Sequence, residues 1–249
     1  MKNLAIITAR GGSKRIPKKN IKDFCGKPII AYTIEAALGS KLFDEVMVST
    51  DSEEIAAVAL KFGAKVPFYR SEFAASDSAT TNDVLAEVLD MYEERGQVFD
   101  NYCCLYPTAP FLTSDRLVHA YDFFLESNAS LLNPVVRFSF PPQRGFIIVD
   151  GELKYMFPEN ALTRSQDLEP MYHDCGQFYI YSNKMYDVNG DPVKASPHDI
   201  NPPKKLFYDK CGNRKKIIAY VMPELEVQDI DNPDDWEIAE TKYKIIHNG

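Results

Sequence analysis

Leu4-Ala5-Ile6-Ile7-Thr8-Ala9-Arg10-Gly11-Gly12-Ser13-Lys14-Arg15-Ile16-Pro17-Lys18-Lys19-Asn20 is an apolar run that gives way to a basic, glycine-bearing loop. Residues 4–8 have the length and apolar content of a buried strand, and the run stops where charge begins. Seven basic residues and no acidic one fall in the first 22 positions: Lys2, Arg10, Lys14, Arg15, Lys18, Lys19 and Lys22. Gly11 and Gly12 let the backbone turn tightly and bring amide N–H groups toward a ligand. Arg10 can fork onto phosphate oxygens, and Lys19 adds a point charge from the far end of the loop. Such a loop is a site for a polyanion, with phosphates the first candidate. The composition alone also describes a solvated basic loop. A loop at the carboxyl end of the first strand of an α/β sheet, however, lies where ligands bind. Neither G-x-x-x-x-G-K-[ST] nor G-x-G-x-x-G is present, so this is not a P-loop and not a dinucleotide fingerprint.

Outward from this stretch, strand and helix patterns alternate. Helical spacing covers 28–38, with Pro28 suited to a first turn. A strand follows at 45–50, then a helix capped by Asp51 or Ser52 and running through Phe62. Residues 66–69 read as a third strand. Thr80 or Thr81 can cap a helix over about 82–95, with Thr81 the favoured cap. Residues 102–106 form a buried strand, and Ser114 or Asp115 starts a helix to about 126. This alternation predicts a parallel sheet with helices on both faces. After residue 130 the rhythm changes. Strands are predicted at 131–138, 176–182 and 216–222, with a β-hairpin around Asp150-Gly151, because Asp-Gly favours the positive φ of a tight turn. Residues 183–215, rich in Asn, Pro, Gly and Lys, read as an exposed insertion. A terminal helix spans 233–246, with Asp231 or Asn232 as its cap and Trp236 as packing.

The chain has 249 residues, 45% of them apolar, enough for a full core in one domain over 1–249. A net charge of −8 opposes non-specific nucleic-acid binding, while basic charge gathered at one end suits a small anionic ligand. The five cysteines include no C-x-x-C pair, which argues against a disulfide framework or a zinc site. There is no signal-peptide pattern and no apolar stretch near the ~20 residues of a membrane helix. A soluble cytoplasmic protein with no membrane and no nucleic-acid partner is expected.

Asp229 and Asp231 flank Ile230 near the other end of the chain. In an extended segment they share a face and can hold Mg²⁺ against phosphate oxygens. The competing reading is a turn followed by a helix cap.

Five segments together carry a resemblance: A-R-G-G-S-K-R-I-P-x-K-N at 9–20, V-S-T-D at 48–51, S-D-S-A-T-T at 76–81, Y-P-T-A-P at 106–110 and D-I-D at 229–231. In this order they resemble the CMP-sugar-acid synthetases, the cytidylyltransferases of N-acetylneuraminate and related nonulosonic acids. The stretch T-R-S-Q-D-L-E-P-M-Y-H-D-C-G-Q-F-Y at 163–179, with Tyr106, is most similar to the pseudaminic acid branch. Thr8, where Pro is common, Cys175, where Ala is common, and a long 183–215 segment depart from the pattern.

The resemblance implies a Rossmann-like nucleotidyltransferase core with a mostly parallel sheet. It also implies a homodimer, with a small β-rich dimerisation extension at about 137–175. The implied reaction passes CMP from CTP to the anomeric hydroxyl of a nonulosonic acid, with Mg²⁺ as cofactor. Arg10, Lys19, Asp229 and Asp231 become the catalytic candidates, the last two as metal ligands. Ala9, Arg10, Gly11, Gly12, Ser13, Lys19, Asn20, Arg70, Ser78, Ala79 and Thr80 are the nucleotide-binding candidates. Arg70 matches the position facing the cytosine end of CTP, with a surface salt bridge as its plainer reading. Asn20 either binds the ribose or closes the loop. Tyr106, Arg164, Gln166, His173 and Gln177 are the sugar-side candidates. N-acetylneuraminate, legionaminate and 3-deoxy-octulosonate are the alternative acceptors. A non-catalytic nucleotide-binding module is the alternative outside the class.

Overall fold

A computed structural model describes residues 1–186, 192–194 and 216–248. Its strands, in chain order, are β1 (Asn3–Thr8), β2 (Asp23–Phe24), β3 (Lys27–Pro28), β4 (Glu45–Ser49), β5 (Asn101–Leu105), β6 (Leu131–Arg137), β7 (Phe146–Val149), β8 (Glu152–Tyr155), β9 (Tyr172–Asp174), β10 (Phe178–Ser182), β11 (Lys184–Tyr186), β12 (Pro192–Lys194) and β13 (Ile217–Val221). The helices are α1 (Ile29–Ser40), α2 (Glu53–Lys61), α3 (Glu72–Ala75), α4 (Thr81–Glu94), α5 (Ser114–Ser127) and α6 (Pro233–Asn248).

The main sheet runs β13-β6-β10-β5-β1-β4, with β9 also paired to β6. The pairings β1 with β4, β1 with β5, and β6 with β13 are parallel, whereas β10 is antiparallel to both β5 and β6. This is a mixed α/β architecture with the mostly parallel sheet that the resemblance implies; the wholly parallel sheet expected from the alternation is broken by antiparallel β9 and β10. Period 2 along β1 divides the core. Ala5 and Ile7 join Ile30, Ile34, Leu117 and Phe124 on the face covered by α1, α2 and α5. Leu4 and Ile6 join Leu85, Val88 and Tyr92 of α4 on the other face. All four β1 residues are fully buried, so both faces of the strand are covered.

Polar residues set where the helices start. Ser52 accepts from the Ile55 amide to open α2, and Thr113 does the same for Arg116 at α5. Thr80, not Thr81, caps α4. It stands in extended backbone and forms a reciprocal capping box with Asp83. A cap at Thr81 would have placed apolar Val84 at the reciprocal position. We expect Thr80→Ala to cost about 1 kcal/mol of stability, read as a lower urea midpoint at unchanged slope. Asn232, not Asp231, caps α6: its Oδ1 accepts from the Asp235 amide, and the Asp235 carboxylate accepts from the amides of Asp231 and Asn232.

The strand expected at 66–69 does not form. Lys65 alone makes a one-residue parallel bridge to Met47. Pro67 lacks the N–H that a ladder needs, which ends pairing there. The predicted hairpin is present as β7–β8, a two-stranded sheet of its own, with Asp150 at φ 52° and Gly151 at φ 81°. The predicted insertion at 183–215 falls mostly outside the described residues. Within it, β11 and β12 pair antiparallel. Cys25, Cys103, Cys104 and Cys175 are free thiols. Among the described residues no helix is long and apolar enough to cross a membrane.

Candidate active site

The chain leaves β1 toward β4 on one side, while β5 lies on the other side of β1, so a crevice opens at their carboxyl ends. A cleft of about 510 Å³ lies there, lined by residues 8–20 of the basic loop, by the 70–84 segment, by Tyr106 and by Asp231.

The loop is pinned at three places. Ala9 is buried and its amide donates to Ser49 O at 3.0 Å, extending the sheet by one bond. The Gly11 amide donates to Asp51 Oδ1 at 2.7 Å, and a Cβ at Gly11 would sit a tight 3.1 Å from that of Ser52, so glycine eases the close approach. Gly12, by contrast, faces open space, and the Ser13 amide turns back to Gly11 O at 2.9 Å. Of the Gly11, Gly12 and Ser13 amides, that of Gly11 is therefore engaged by Asp51 and that of Ser13 within the loop. Asn20 is buried and donates from Nδ2 to Arg10 O at 2.9 Å, closing the loop.

Ile16, buried at the loop's centre, carries the loop onto α6. It shares a cluster with Phe24, Ile29, Phe111, Ile230 and Trp236. Phe24 meets Trp236 edge-on at 5.5 Å, and Lys22 Nζ lies 4.4 Å above the indole. Ile230 has no exposed surface, so the cluster draws the segment bearing Asp229 and Asp231 against the loop. Arg15 reaches Asp231 Oδ1 at 2.9 Å, and Lys19 Nζ donates to Ile230 O at 2.7 Å while lying 3.8 Å from Asp231. Burial pushes the Lys19 ammonium below its ordinary pKa, against the pull of Asp231 and Asp229. Lost hydration, then the Asp231 charge, pushes the Asp229 carboxyl up. Among the described residues no set of three or more His, Cys, Asp or Glu is placed to hold a metal. Two mutually repelling carboxylates nonetheless suit Mg²⁺, which binds through one or two of them and takes its other ligands from phosphates and water.

On the opposite wall, Arg10 donates to Asp77 Oδ1 at 2.8 Å and Lys14 pairs with the same carboxylate. Hydrogen bonding and charge from Lys14, then Arg10, hold Asp77 below its usual range. Arg70 donates from Nε to Ser49 Oγ at 2.8 Å, and burial pushes it down to about 10. Its NH2 is buried with no partner among the described residues, an orphaned donor in a wall of the cleft. Ala79 and Thr80 line the cleft. Ser78 instead hydrogen-bonds Ser76 at 2.9 Å.

Arg10, Ser13, Lys19, Asn20, Arg70, Ala79, Thr80 and Asp231 thus line one cleft, while Ala9, Gly11, Gly12, Ser78 and Asp229 lie beside it; of the sugar-side candidates, Tyr106 alone lines it among the described residues. Tyr106 lines the cleft, its OH 3.3 Å from Thr81 Oγ1. Arg164 is exposed and donates to Asp167 at 2.7 Å. Gln166 lines a separate hollow of about 460 Å³ with Val136, Phe138 and Met171. His173 is exposed, its ring 4.6 Å from that of Phe138. Gln177 is 1% exposed and donates to Glu226 O at 2.6 Å. The sequence alone assigns no site role to Asp77 or Arg15 and offers Asp51 only as a helix cap, which Ser52 takes instead. Asp51 and Asp77 lie inside the V-S-T-D and S-D-S-A-T-T segments, and that is their signal.

Residues 4–179 match the family model described as "Cytidylyltransferase". The chain belongs to the cytidylyltransferase family. It is accordingly a nucleotidyltransferase enzyme. A pseudaminic acid cytidylyltransferase of Campylobacter jejuni is 42% identical over 99% of this chain and 98% of its own. A CMP-N,N'-diacetyllegionaminic acid synthase of Legionella pneumophila is 35% identical over 96% and 95%. Among solved structures, CMP:2-keto-3-deoxy-manno-octonic acid synthetase complexed with CTP superposes with a TM-score of 0.66 over 99% of this cytidylyltransferase and 100% of its own chain. At 17% identity that likeness speaks for the fold.

Proposed function

We propose that this cytidylyltransferase moves CMP from CTP onto the anomeric hydroxyl of a nonulosonic acid, pseudaminic acid first among them. The observation that carries the reading is the meeting of chain ends, Arg15 and Lys19 from the amino end against Asp231 from the other. The hydroxyl oxygen bonds to the α-phosphorus and gives up its proton to water, the bond from that phosphorus to the bridging oxygen breaks, and pyrophosphate departs with the electron pair. Such transfers need position and charge neutralisation more than covalent help from the protein. Arg10, Lys14 and Lys19 line the cleft and neutralise the triphosphate, with Arg10 exchanging Asp77 for phosphate oxygens. Asp229 and Asp231 hold Mg²⁺, which when bound offsets charge on the phosphate oxygens. Arg70, with its orphaned donor, faces the cytosine end, and Tyr106 borders the acceptor.

A homodimer completes this reading. Phe146, Ile147, Ile148 and Leu153 of the hairpin are all exposed, an apolar strip suited to a second copy. Arg164 on the same extension is the fork for the sugar carboxylate. A cytoplasmic setting supplies CTP.

The test is pyrophosphate release from CTP with a panel of nonulosonic acids. Release with pseudaminic acid alone is expected. Release with N-acetylneuraminate, legionaminate or 3-deoxy-octulosonate alone reassigns the acceptor, and CTP binding without turnover overturns the reading. In the same assay, Asp229→Asn is expected to raise the Mg²⁺ needed for half-activity. An unmoved Mg²⁺ titration removes Asp229 from the metal.

A further inference from the structure

We propose that Arg116, Glu226 and Gln177 form a brace that positions Asp229 and Asp231, an inference resting on the metal-binding reading of that pair. Arg116 sits in the first turn of α5 and grips Glu226 with two prongs. NH2 donates to Oε1 at 2.7 Å and Nε donates to Oε2 at 3.0 Å. Its NH1 reaches Tyr220 OH in β13 at 3.4 Å, and both partners of the ion pair are largely shielded, with side-chain exposures of 24% and 30%. This fork-to-fork geometry fixes direction as well as distance.

Gln177 ties the same segment to the cleft. Its backbone oxygen accepts from the Tyr106 amide at 2.8 Å, while its side-chain Nε2 donates to Glu226 O at 2.6 Å. One buried residue thus joins the wall that ends β5 to the chain that leads to Asp229. From α6, Lys242 Nζ adds a bond to Val227 O at 3.0 Å. Residues 226 and 227 are therefore held by two helices, α5 and α6, and by the turn before β10, just before the carboxylate pair. After the pair, Asn232 and Asp235 fix the start of α6. Asp229 and Asp231 sit on a short span anchored at both ends, with Ile230 sunk in the aromatic cluster between them.

Arg116 and Glu226 bond neither the basic loop nor Tyr106 and meet the site through the segment they hold, whereas Gln177 also touches the cleft wall through the Tyr106 amide. All three act through other residues, which makes them positioning residues. Groups that orient metal ligands typically govern metal affinity by about 10–100-fold.

The experiment titrates Mn²⁺, followed by electron paramagnetic resonance, into the full chain with CTP and no sugar acid. The variants are Arg116→Ala, Arg116→Lys, Glu226→Gln, the charge-swapped Arg116→Glu/Glu226→Arg and Asp229→Asn. Arg116→Ala and Glu226→Gln are each expected to weaken Mn²⁺ binding about tenfold, with kcat falling and KM for the sugar acid unmoved. The charge swap is expected to recover affinity, and Arg116→Lys, which lacks the fork, to recover it only in part. A lower melting temperature with an unmoved Mn²⁺ curve would make the brace merely structural and overturn the proposal. Should Arg116→Ala fail to fold, Glu226→Gln, which keeps the volume, decides between the two outcomes. If Asp229→Asn weakens Mn²⁺ binding and the brace variants do not, only the brace falls. If Asp229→Asn leaves it unchanged, the metal reading falls and the brace with it.

Discussion

Arg10→Ala lowers pyrophosphate release from CTP by about 10²–10³-fold and leaves the melting temperature nearly where it was. The two halves of this expectation have separate causes. Arg10 sits 41% exposed, and its protein partners are Asp77 and the carbonyl of Ser76. Exposed ion pairs of this kind add little to stability, and Asp77 keeps Lys14 when Arg10 is lost. Charge developing on a triphosphate inside the cleft has no comparable substitute. Lys14 is a flexible point charge, whereas the guanidinium presents a fixed fork to two oxygens at once. Pyrophosphate release and a circular-dichroism melt on the same preparation check both halves. Near-normal release would remove Arg10 from the chemistry. A large loss of melting temperature would mean the loop depends on it for folding.

Trp236→Ala acts from the other side. The indole is 4% exposed, edge-on to Phe24, covered by Lys22, and donates from Nε1 to Glu240 at 3.0 Å. Truncation removes a large buried ring and leaves a cavity, costing about 3–5 kcal/mol. Because this cluster joins Ile16 of the basic loop to Ile230, the loss also loosens the contact between the loop and the carboxylate pair. The expected result is a lower urea midpoint together with weaker CTP binding under conditions where the variant is still folded. Trp236→Phe, which keeps a ring against Phe24, is expected to recover most of both. Lower stability with unchanged CTP affinity would show that the cluster packs the helix without shaping the site.

Much of the architecture is legible in local pattern. The strand at 4–8, the Asp-Gly hairpin and the helix that starts after Ser52 follow from the physics of a few neighbouring residues, whereas at α4 the favoured cap, Thr81, gives way to Thr80. At 66–69 the β-rich composition points to a strand, while in the sheet one missing donor, that of Pro67, decides against it. That the basic loop borders a cleft is legible because a glycine-rich cationic loop after a first strand is local. The sugar side is not, since Arg164, Gln166 and His173 lie on an extension whose approach to the cleft depends on tertiary or quaternary placement. Gln177 reads as a substrate contact in the sequence, yet its side chain lies buried on a carbonyl 49 residues away. Asp77 and Arg116 are hidden for the same reason: their partners are remote in sequence, at Arg10 and Glu226.

The proposed joining of the basic loop and the carboxylate pair around one nucleotide predicts a linkage between metal and CTP. Calorimetric titration of CTP, with and without Mg²⁺ and with no acceptor present, measures that linkage in the parent chain and in Asp229→Asn/Asp231→Asn. Mg²⁺ should tighten CTP binding to the parent chain and leave the affinity of the doubly neutralised chain unmoved. An equal tightening in both would place the metal elsewhere and contradict the arrangement described.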